Sequence, residues 1–497
     1  MKFFAQKYMI VVLATTAVYA SGDADSKLNN ATPKAWNFMA YMCNNNNLHK
    51  YAVRNFQQMT RSGSSSFVNS LLQMDVYGQR AITRYYIERY KPKIAQEMTN
   101  TLTSFSGTPK NLYEFVQWGI KNYPAEKICL VLSNHGTGIK DPHVWGRALM
   151  QIRDKLFVLN STTGLLELDR KNASNKSFLR ALENNEKDRG IAFNEEAQVY
   201  LTNEDLRDAL GAIKKDLLKG KKIDVLALDA CYMAMIEIAS QVKNSALFMV
   251  GSQEVEPGTG YNYQFALEPL MTKDLTQSDF ASHLVASYGK EYMDTVGDFT
   301  QSAINLSHID DVEIAINHLS ATLIELLTID QKNALKILKD IRLNKSSTTE
   351  FLDTDYIDLM HFLQSFVALS NECCPHADKD AISLLDGKNN VQKIWSNARE
   401  VTLDCIAALE RTIIANTAGR NLGTAHGLSI YFPKTVIRPD YYKTEFAKTT
   451  MWPVFLKKFL STFKKNTKPV EVPGETSLDS IVTTSGSEAL CKIEMPC

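Results

Sequence analysis

The amino-acid sequence predicts an α/β protein with a mostly parallel central sheet, followed by a helical C-terminal region. Short continuous apolar runs at residues 128–132 and 223–228 are bounded by turn residues, which is typical of strands covered on both faces. Such runs alternate with helical patterns in the first half of the chain, which indicates a parallel sheet with right-handed crossovers. After residue 265 the apolar spacing becomes helical and stays so to about residue 417.

Length and composition exclude several classes of protein. The chain has 497 residues, of which 44% are hydrophobic and 22% are charged, so it can bury a large core. Lys plus Arg and Asp plus Glu both number 55, and without a basic arm this balance argues against a nucleic-acid partner. Eight cysteines are too few for a disulfide scaffold. Beyond the first twenty residues no run approaches the roughly 18 uninterrupted apolar positions of a membrane span, which excludes a polytopic membrane protein.

The first twenty residues have the pattern of a secretory signal peptide. Lys2 and Lys7 form a positive segment, an apolar run follows at residues 9–18, and small side chains precede the expected cleavage point after Ala20. We therefore expect a secreted or periplasmic protein with a short leader at residues 21–35. Once the signal is removed, no stable membrane insertion is expected.

Residues 36–122 alternate between strand and helix. The first strand runs into a polar corner of four consecutive asparagines, Asn44 to Asn47, and Pro124 stops the last helix of this stretch. The predicted strands are residues 36–42, 67–77 and 81–89, the last of them at a sheet edge, and the predicted helices are residues 48–59 and 111–122.

The later segments differ in character. Residues 140–189 are rich in Asn, Lys, Arg and Ser and interrupt the α/β rhythm, and such an insertion is usually functional or disordered. Residues 266–463 are predicted to be mainly helical, with one strand returning at residues 427–432. The tail at residues 464–497 carries prolines and a Thr/Ser/Gly-rich run and is predicted to be weakly ordered.

Reactive side chains follow the two buried strands. His135 and Gly136 come after one strand, and Asp229 and Cys231 come after the other. Because ligands bind at the carboxyl ends of parallel strands, these residues are predicted to meet in one crevice. An imidazole there can assist deprotonation of a thiol, and the thiolate can attack a carbonyl carbon. The backbone N–H groups of Gly136 and Cys231 are the candidates for binding the oxyanion, and strand alternation puts Asp229 on the same side as Cys231.

Each of these residues also has a structural interpretation. A cysteine after an apolar strand is more often a small buried hydrophobe, which is what we expect of Cys43 and Cys129. Asp229 taken alone is most often a helix cap or an ion-pair partner. His426 begins a strand rather than ending one, so we expect it to be structural. In the tail, Cys491 and Cys497 are candidates for a small disulfide.

Six blocks of sequence resemble the clostripain-like family of cysteine peptidases, which belongs to the caspase-like group. The blocks follow the family order and span about 400 of the 497 residues. The resemblance implies a caspase-like α/β/α sandwich at residues 36–265, with His135 as the catalytic histidine and Cys231 as the nucleophile. The blocks are AYMCNNNNL (40–48), LVLSNHGTG (130–138), RGIAF…YLTNEDLRDAL (189–210), LALDACYMAMIEIA (226–239), GSQEVEPGTGYNY (251–263) and HGLSIYFP (426–433).

The resemblance also implies a substrate preference. Family members cleave after Arg or Lys, and Asp229 matches their acidic position beside the nucleophile, where a carboxylate can pair with a basic side chain. At the position between two glycines where the family commonly has a second acid, this chain has Thr259, so altered selectivity is an alternative. Glu254 and Glu256 lie nearby in sequence. Calcium dependence is known in the family, but without an EF-hand-like spacing we predict no cofactor and can place no ion.

The family matures by self-cleavage between the His and Cys blocks, and the insertion at residues 140–189 is placed for this. A peptidase that prefers basic residues could cut itself there. The alternative is a solvated loop whose charges only keep it soluble. From Arg147 onward the insertion contains nine basic residues: Arg147, Arg153, Lys155, Arg170, Lys171, Lys176, Arg180, Lys187 and Arg189.

Two functions from different classes remain open at this point. One is a secreted cysteine endopeptidase that acts on protein or peptide substrates through His135 and Cys231. The other is a catalytically silent relative that acts as a surface or secreted binding protein. The intact His135, Gly136 and Cys231 favour the peptidase.

Overall fold

The structure is a computed structural model that describes most of the chain. The signal-peptide prediction, the pair Cys491 and Cys497, and eight of the nine basic residues from Arg147 to Arg189, all except Arg170, lie outside the described residues. The described ranges are 32–79, 81–99, 105–140, 156–170, 190–344, 346–373 and 386–466.

The strands and helices largely follow the predicted alternation. The strands are β1 (Lys34–Asn44), β2 (Val68–Val76), β3 (Ala81–Glu88), β4 (Lys91–Thr99), β5 (Ala125–Ser133), β6 (Phe157–Leu159), β7 (Leu166–Leu168), β8 (Gly190–Asn194), β9 (Val199–Thr202), β10 (Ile223–Asp229), β11 (Ala246–Gly251), β12 (Thr300–Asn305), β13 (Tyr356–Asp358), β14 (Ile413–Ala418) and β15 (Ser429–Tyr431). The helices are α1 (His49–Ser62), α2 (Pro109–Asn122), α3 (Asn203–Ala212), α4 (Ile236–Val242), α5 (Tyr263–Leu267), α6 (Gln277–Tyr292), α7 (Ile309–Ile329), α8 (Gln331–Leu343), α9 (Leu359–Cys373), α10 (Asp386–Thr412), α11 (Glu445–Thr449) and α12 (Trp452–Asn466).

One central sheet organises the described residues. Its nine strands lie in the order β14-β12-β11-β10-β5-β1-β2-β3-β4. The five strands from β11 to β2 are parallel, and the two strands at each edge are antiparallel. Smaller two-stranded sheets are formed by β6 with β7, β8 with β9, and β13 with β15. The predicted mostly parallel sheet is therefore confirmed.

Helices cover both faces of this sheet. Alternate residues of β1 enter two separate cores, with Phe38 and Met42 on one side and Met39 and Tyr41 on the other. Helices α1, α5 and α6 contribute buried residues to the first core, and α2, α3 and α4 contribute to the second. Because β1 is covered on both faces, its sequence is a continuous apolar run. The result is the predicted α/β/α sandwich.

Local signals explain where several helices begin. Thr108 accepts a hydrogen bond from the backbone N–H of Asn111, and Pro109 occupies the first position of α2. At α3, Thr202 and Asp205 form a reciprocal capping box. These caps satisfy N–H groups that a helix leaves without an internal partner.

Several strands were not predicted. Residues 81–89 were expected to form an edge strand, but β3 lies between β2 and β4, and β4 is the edge. Strands β12 and β14 extend the other side of the sheet from a stretch that was predicted to be helical. Three of these antiparallel strands are short or polar: β4 (KPKIAQEMT), β12 (TQSAIN) and β14 (IIANTA). They therefore lack the apolar run that marks a buried strand.

Helix α7 belongs to a segment long and apolar enough to cross a membrane by length and composition. In that segment, Leu306–Ile329, 56% of the apolar window is buried inside the protein. Within the fold α7 packs against α10 and α12. Burial of this kind is typical of a core helix.

Candidate active site

The ends of β5 and β10 bring the two predicted reactive segments side by side. Ser133 pairs with Asp229 in the parallel register, and the backbone N–H of Asn134 donates to the carbonyl oxygen of Asp229 at 3.3 Å. His135 and Cys231 each lie two residues beyond this last pair. The backbone geometry therefore confirms that the His135 and Cys231 segments lie together at the carboxyl edge of the sheet.

Gly136 is the point of closest approach between the segments. A Cβ atom at this position would lie 2.5 Å from the carbonyl oxygen of Cys231 and 2.9 Å from the Cβ of Ala230. No larger residue fits without moving the backbone of the Cys231 segment. The absence of a side chain thus lets the His135 and Cys231 segments touch.

Cys231 lies on a tightly held turn after β10. Its side chain is buried, and its Sγ accepts a hydrogen bond from the backbone N–H of Glu256 at 3.2 Å. The next residue, Tyr232, has a φ of 61°, which is uncommon for a residue with a side chain. Its N–H donates to the carbonyl oxygen of Glu254, and its hydroxyl accepts from the N–H of Asp353. Such strained backbone is typical of functional sites and persists only where its surroundings hold it.

His135 contacts the asparagine corner that comes after β1. Its Nε2 lies 2.7 Å from Oδ1 of Asn47, and its side chain is half-buried. Asn47 was not singled out from the sequence. The four consecutive asparagines after a buried strand were noted as a corner, but their pattern does not tell which of them reaches the histidine.

A small pocket opens beside Cys231. Its cavity volume is about 20 Å³, which is room for roughly one water molecule. Asp229, Cys231 and Glu256 all contribute to its wall. The full lining is Asn44, Leu48, Tyr51, Ala52, Asn55, Ser133, Asn134, Asp229, Ala230, Cys231, Glu256, Pro257, Gly258 and Gly260.

Asp229 is buried and fully engaged at this pocket. Its two carboxylate oxygens accept hydrogen bonds from the backbone N–H of Tyr261 at 3.0 Å and the hydroxyl of Tyr263 at 2.8 Å. Burial raises the pKa of Asp229, and hydrogen bonds with Tyr263 and Glu256 oppose that rise. Gly260 makes this possible, because it has a φ of 56° and a Cβ there would lie 2.4 Å from the carboxylate of Asp229.

Glu254 and Glu256, the other two acidic candidates, point in different directions. Glu256 lines the pocket with Asp229, whereas the Glu254 carboxylate points to Arg170 at 2.8 Å and to the N–H of Leu352. The hydroxyl of Thr259 lies 2.6 Å from that of Tyr292, and the lining includes its neighbours but not Thr259. Substrate binding by Thr259 therefore stays a prediction. A second pocket carboxylate is present, but it comes from Glu256.

Other sequence-derived candidates lie elsewhere. Cys43 and Cys129 are buried and free, which confirms their interpretation as core residues. The backbone N–H of His426 donates to Asp358, and its ring faces that of His361. Across the described ranges, no group of three or more His, Cys, Asp or Glu side chains is arranged to hold a metal ion.

Comparison with known proteins identifies the family. The model of the clostripain family matches residues 40–151 and 180–461. No protein with a curated functional description matches the sequence significantly. The fold is similar to an inactive zymogen C11 protease from Parabacteroides distasonis, with a TM-score of 0.51 and 16% identity, over 84% of this chain and 99% of that one. It is also similar to a secreted C11 cysteine protease from Bacteroides thetaiotaomicron, solved with an irreversible peptide inhibitor, with a TM-score of 0.50 and 15% identity, over 84% and 99%.

At these identities the two structures support the fold, which is that of the caspase-like C11 proteases. Together with the family match, this fold defines the chain as a cysteine peptidase. The chain belongs to the clostripain family.

Proposed function

We propose that this peptidase is a secreted endopeptidase that cleaves after Arg or Lys, with Cys231 as nucleophile and His135 as acid–base group. One observation carries the proposal. Cys231 lies in the wall of a pocket that also contains the buried carboxyl groups of Asp229 and Glu256. When a basic side chain occupies this negatively charged pocket, the neighbouring thiol is placed to attack the carbonyl carbon of the same residue.

Cys231, His135 and the backbone N–H group of Gly136 act at different steps of the proposed reaction. His135 takes the proton of the Cys231 thiol, and the thiolate attacks the carbonyl carbon of the peptide bond. The backbone N–H groups of Gly136 and Cys231 are proposed to bind the oxyanion that forms. His135 then protonates the leaving amine as the C–N bond breaks. Finally His135 takes a proton from water, whose oxygen attacks the thioester. The C–S bond then breaks, the carboxylic acid leaves, and the proton returns to the sulfur of Cys231.

The acid pair accounts for selectivity toward basic side chains. A hydrogen bond between the carboxyl groups of Asp229 and Glu256 requires a proton, because two ionised carboxylates can only accept. Once the cavity widens to admit a guanidinium or ammonium group, this cation can replace the proton and pair with both acids. Binding of a basic side chain is therefore coupled to proton release, and its KM should fall as the pH rises through the titration of the pair.

Peptides that differ only in Arg or citrulline, its uncharged analogue, test this selectivity. We expect Asp229→Asn and Glu256→Gln each to lower the preference for Arg at least tenfold, since only one charged partner remains in either variant. Gly211→Ala on α3, where the added Cβ meets no atom within 4 Å, is the control and should keep the preference. An unchanged preference in both acid variants would place the selectivity elsewhere.

Two substitutions and a probe test the peptidase itself. Cys231→Ala and His135→Ala should each abolish turnover while leaving the unfolding transition cooperative. An arginine-based covalent probe should label the reduced wild-type protein at Cys231. If the wild type is neither labelled nor active, the chain is a silent binding protein.

We also propose that the chain matures by cutting itself between Arg147 and Arg189. Arg170 is a poor cleavage site, because its guanidinium lies 2.8 Å from Glu254 and 3.1 Å from Asp298. The hairpin of β6 and β7 that precedes Arg170 is also fixed in place. Leu166 forms a β-bridge with Val296, and its backbone hydrogen-bonds with the neighbouring residues Thr295 and Gly297. The cut should therefore fall at another basic residue of the insertion, whose tethered ends lie beside the cleft at high effective concentration.

Intact-mass analysis tests maturation. The wild type should give two fragments, and Cys231→Ala should remain a single chain. The fragments should stay associated, because they contribute the adjacent strands β5 and β10 to one sheet. An uncut wild-type chain that is already fully active would refute self-activation.

The proposed location rests on the first twenty residues. Signal removal after Ala20 should leave Ser21 as the N-terminus of protein recovered outside the cytoplasm. N-terminal sequencing decides this point, and a retained Met1 would argue against secretion.

A further inference from the structure

We infer that Asn47 is the positioning residue of His135, and this inference rests on the proposed role of His135 in catalysis. The juxtaposition is direct, since Oδ1 of Asn47 lies 2.7 Å from Nε2 of the imidazole. An amide oxygen only accepts hydrogen bonds, so this contact places the proton of a neutral ring on Nε2. Nδ1 is then the nitrogen with a lone pair for the thiol proton of Cys231.

Asn47 is held in place by the rest of the asparagine corner. Asn46 donates to Oδ1 of Asn134 at 3.2 Å and to the carbonyl oxygen of Phe193 at 2.9 Å, which ties the corner to the residue before His135. The Oδ1 of Asn46 also accepts from the N–H of Leu48 at 2.9 Å. Asn47 therefore sits between two fixed residues, and its orientation is set by the turn.

A second anchor lies below the corner. Asn45 donates to the buried carboxylate of Asp75 at 3.3 Å and to Glu196 at 2.7 Å. Asn45 and Asn46 are each 1% exposed, whereas Asn47 is only half-buried. Asn45 and Asn46 thus serve the fold, whereas Asn47 reaches the histidine.

The hydrogen bond from His135 to Asn47 should affect both the charge state and the orientation of the imidazole ring. The ring becomes positively charged when it takes the thiol proton, and the amide oxygen stabilises the N–H group at Nε2 in that state. The same bond prevents the ring from turning about its Cβ–Cγ bond between the two proton transfers. A neutral acceptor favours the charged ring less than a carboxylate would, so Asn47→Asp and Asn47→Leu should shift its titration in opposite directions.

Titration of His135 by NMR tests the inference without relying on activity. The samples are full-length Cys231→Ala protein with ¹³C-labelled histidine, and His135→Ala assigns the signal. We expect Asn47→Leu to lower the titration midpoint of His135 by about half a unit and Asn47→Asp to raise it by about one unit. Asn45→Ala, which disturbs the same corner without touching His135, is the matched control and should leave the midpoint in place.

The ionisable groups carried by the elements around the corner are unchanged in these variants. They are His49 on α1, Asp75 in β2, Glu195 and Glu196 after β8, and Asp229 and Glu256 at the pocket. A shift seen only in the Asn47 variants therefore reports the residue at position 47. If Asn47→Leu does not fold, the nearly isosteric Asn47→Asp still decides the sign.

Kinetics supply the second measurement. In an otherwise wild-type chain, Asn47→Leu should lower kcat for an Arg peptide at least tenfold and change KM less than threefold, because the pocket lining is untouched. Equal midpoints in all variants, or an equal shift in Asn45→Ala, would overturn the inference, and so would a fully active Asn47→Leu. If the midpoints shift as expected but the wild type cleaves no peptide, the proposed function fails and the placement of Asn47 stands.

Discussion

Gly136→Ala tests whether the His135 and Cys231 segments must touch. The added Cβ would lie 2.5 Å from the carbonyl oxygen of Cys231 and 2.9 Å from the Cβ of Ala230, whereas ordinary contacts begin at 3.4 Å. The segments must therefore separate by roughly 1 Å. A displacement of that size can lower the rate about 100-fold, and the overpacking costs about 1–3 kcal/mol of unfolding free energy.

The assay combines kcat/KM for an Arg peptide with urea unfolding. Gly211→Ala is the matched control, because Gly211 lies in α3 and a Cβ there meets no atom within 4 Å. It should keep full activity and gain about 0.5–1 kcal/mol, since alanine is the better helix former. If Gly136→Ala were as active as Gly211→Ala, the close approach at Gly136 would not matter for catalysis.

Two further predictions concern buried charges away from the thiol. Lys140 lies 2.7 Å from both Asp353 and Asp355, so Lys140→Met should lower the unfolding free energy by about 3–5 kcal/mol at pH 7. Burial opposes the effect, but Lys140 holds the pKa of Asp355 below its usual value of 3.8. Urea unfolding should therefore show the deficit shrinking as the pH is lowered below 3.8. Burial raises the pKa of Glu237 to about 7, so the wild type loses stability as the pH rises from about 4.5 to 7. Glu237→Gln removes this loss and should gain up to ~3 kcal/mol relative to the wild type between pH 5 and 8, whereas parallel stability curves would contradict the assignment.

Four of the five strands in the parallel centre of the sheet, all except β11, were predictable because they are buried on both faces. Strands such as β5 and β10 are continuous apolar runs, and they end where polar residues begin. This ending located His135 and Cys231, because the carboxyl edge of a parallel sheet gathers the residues that come directly after its strands. The outer antiparallel strands β4, β12 and β14 carry no such signal, because β12 is polar in sequence and the edge strands β4 and β14 are partly exposed.

Contacts between distant segments were decided only by the tertiary structure. Asn47 and His135 are 88 positions apart, and no local pattern tells which asparagine of the corner faces the ring. Glu254 and Glu256 are two positions apart, so strand alternation would put both on one side. The segment is irregular instead, and it directs Glu254 to Arg170 and Glu256 to the pocket.

The sequence by itself determined the type of fold and where the two proposed reactive residues meet, because both depend on local apolar runs and on the polar residues at their ends. The tertiary structure alone decided which side chains complete the site. Those partners come from turns after other strands, and their positions depend on how the turns pack over the sheet edge. The second acid beside Asp229 and the amide that holds His135 are therefore properties of the folded chain.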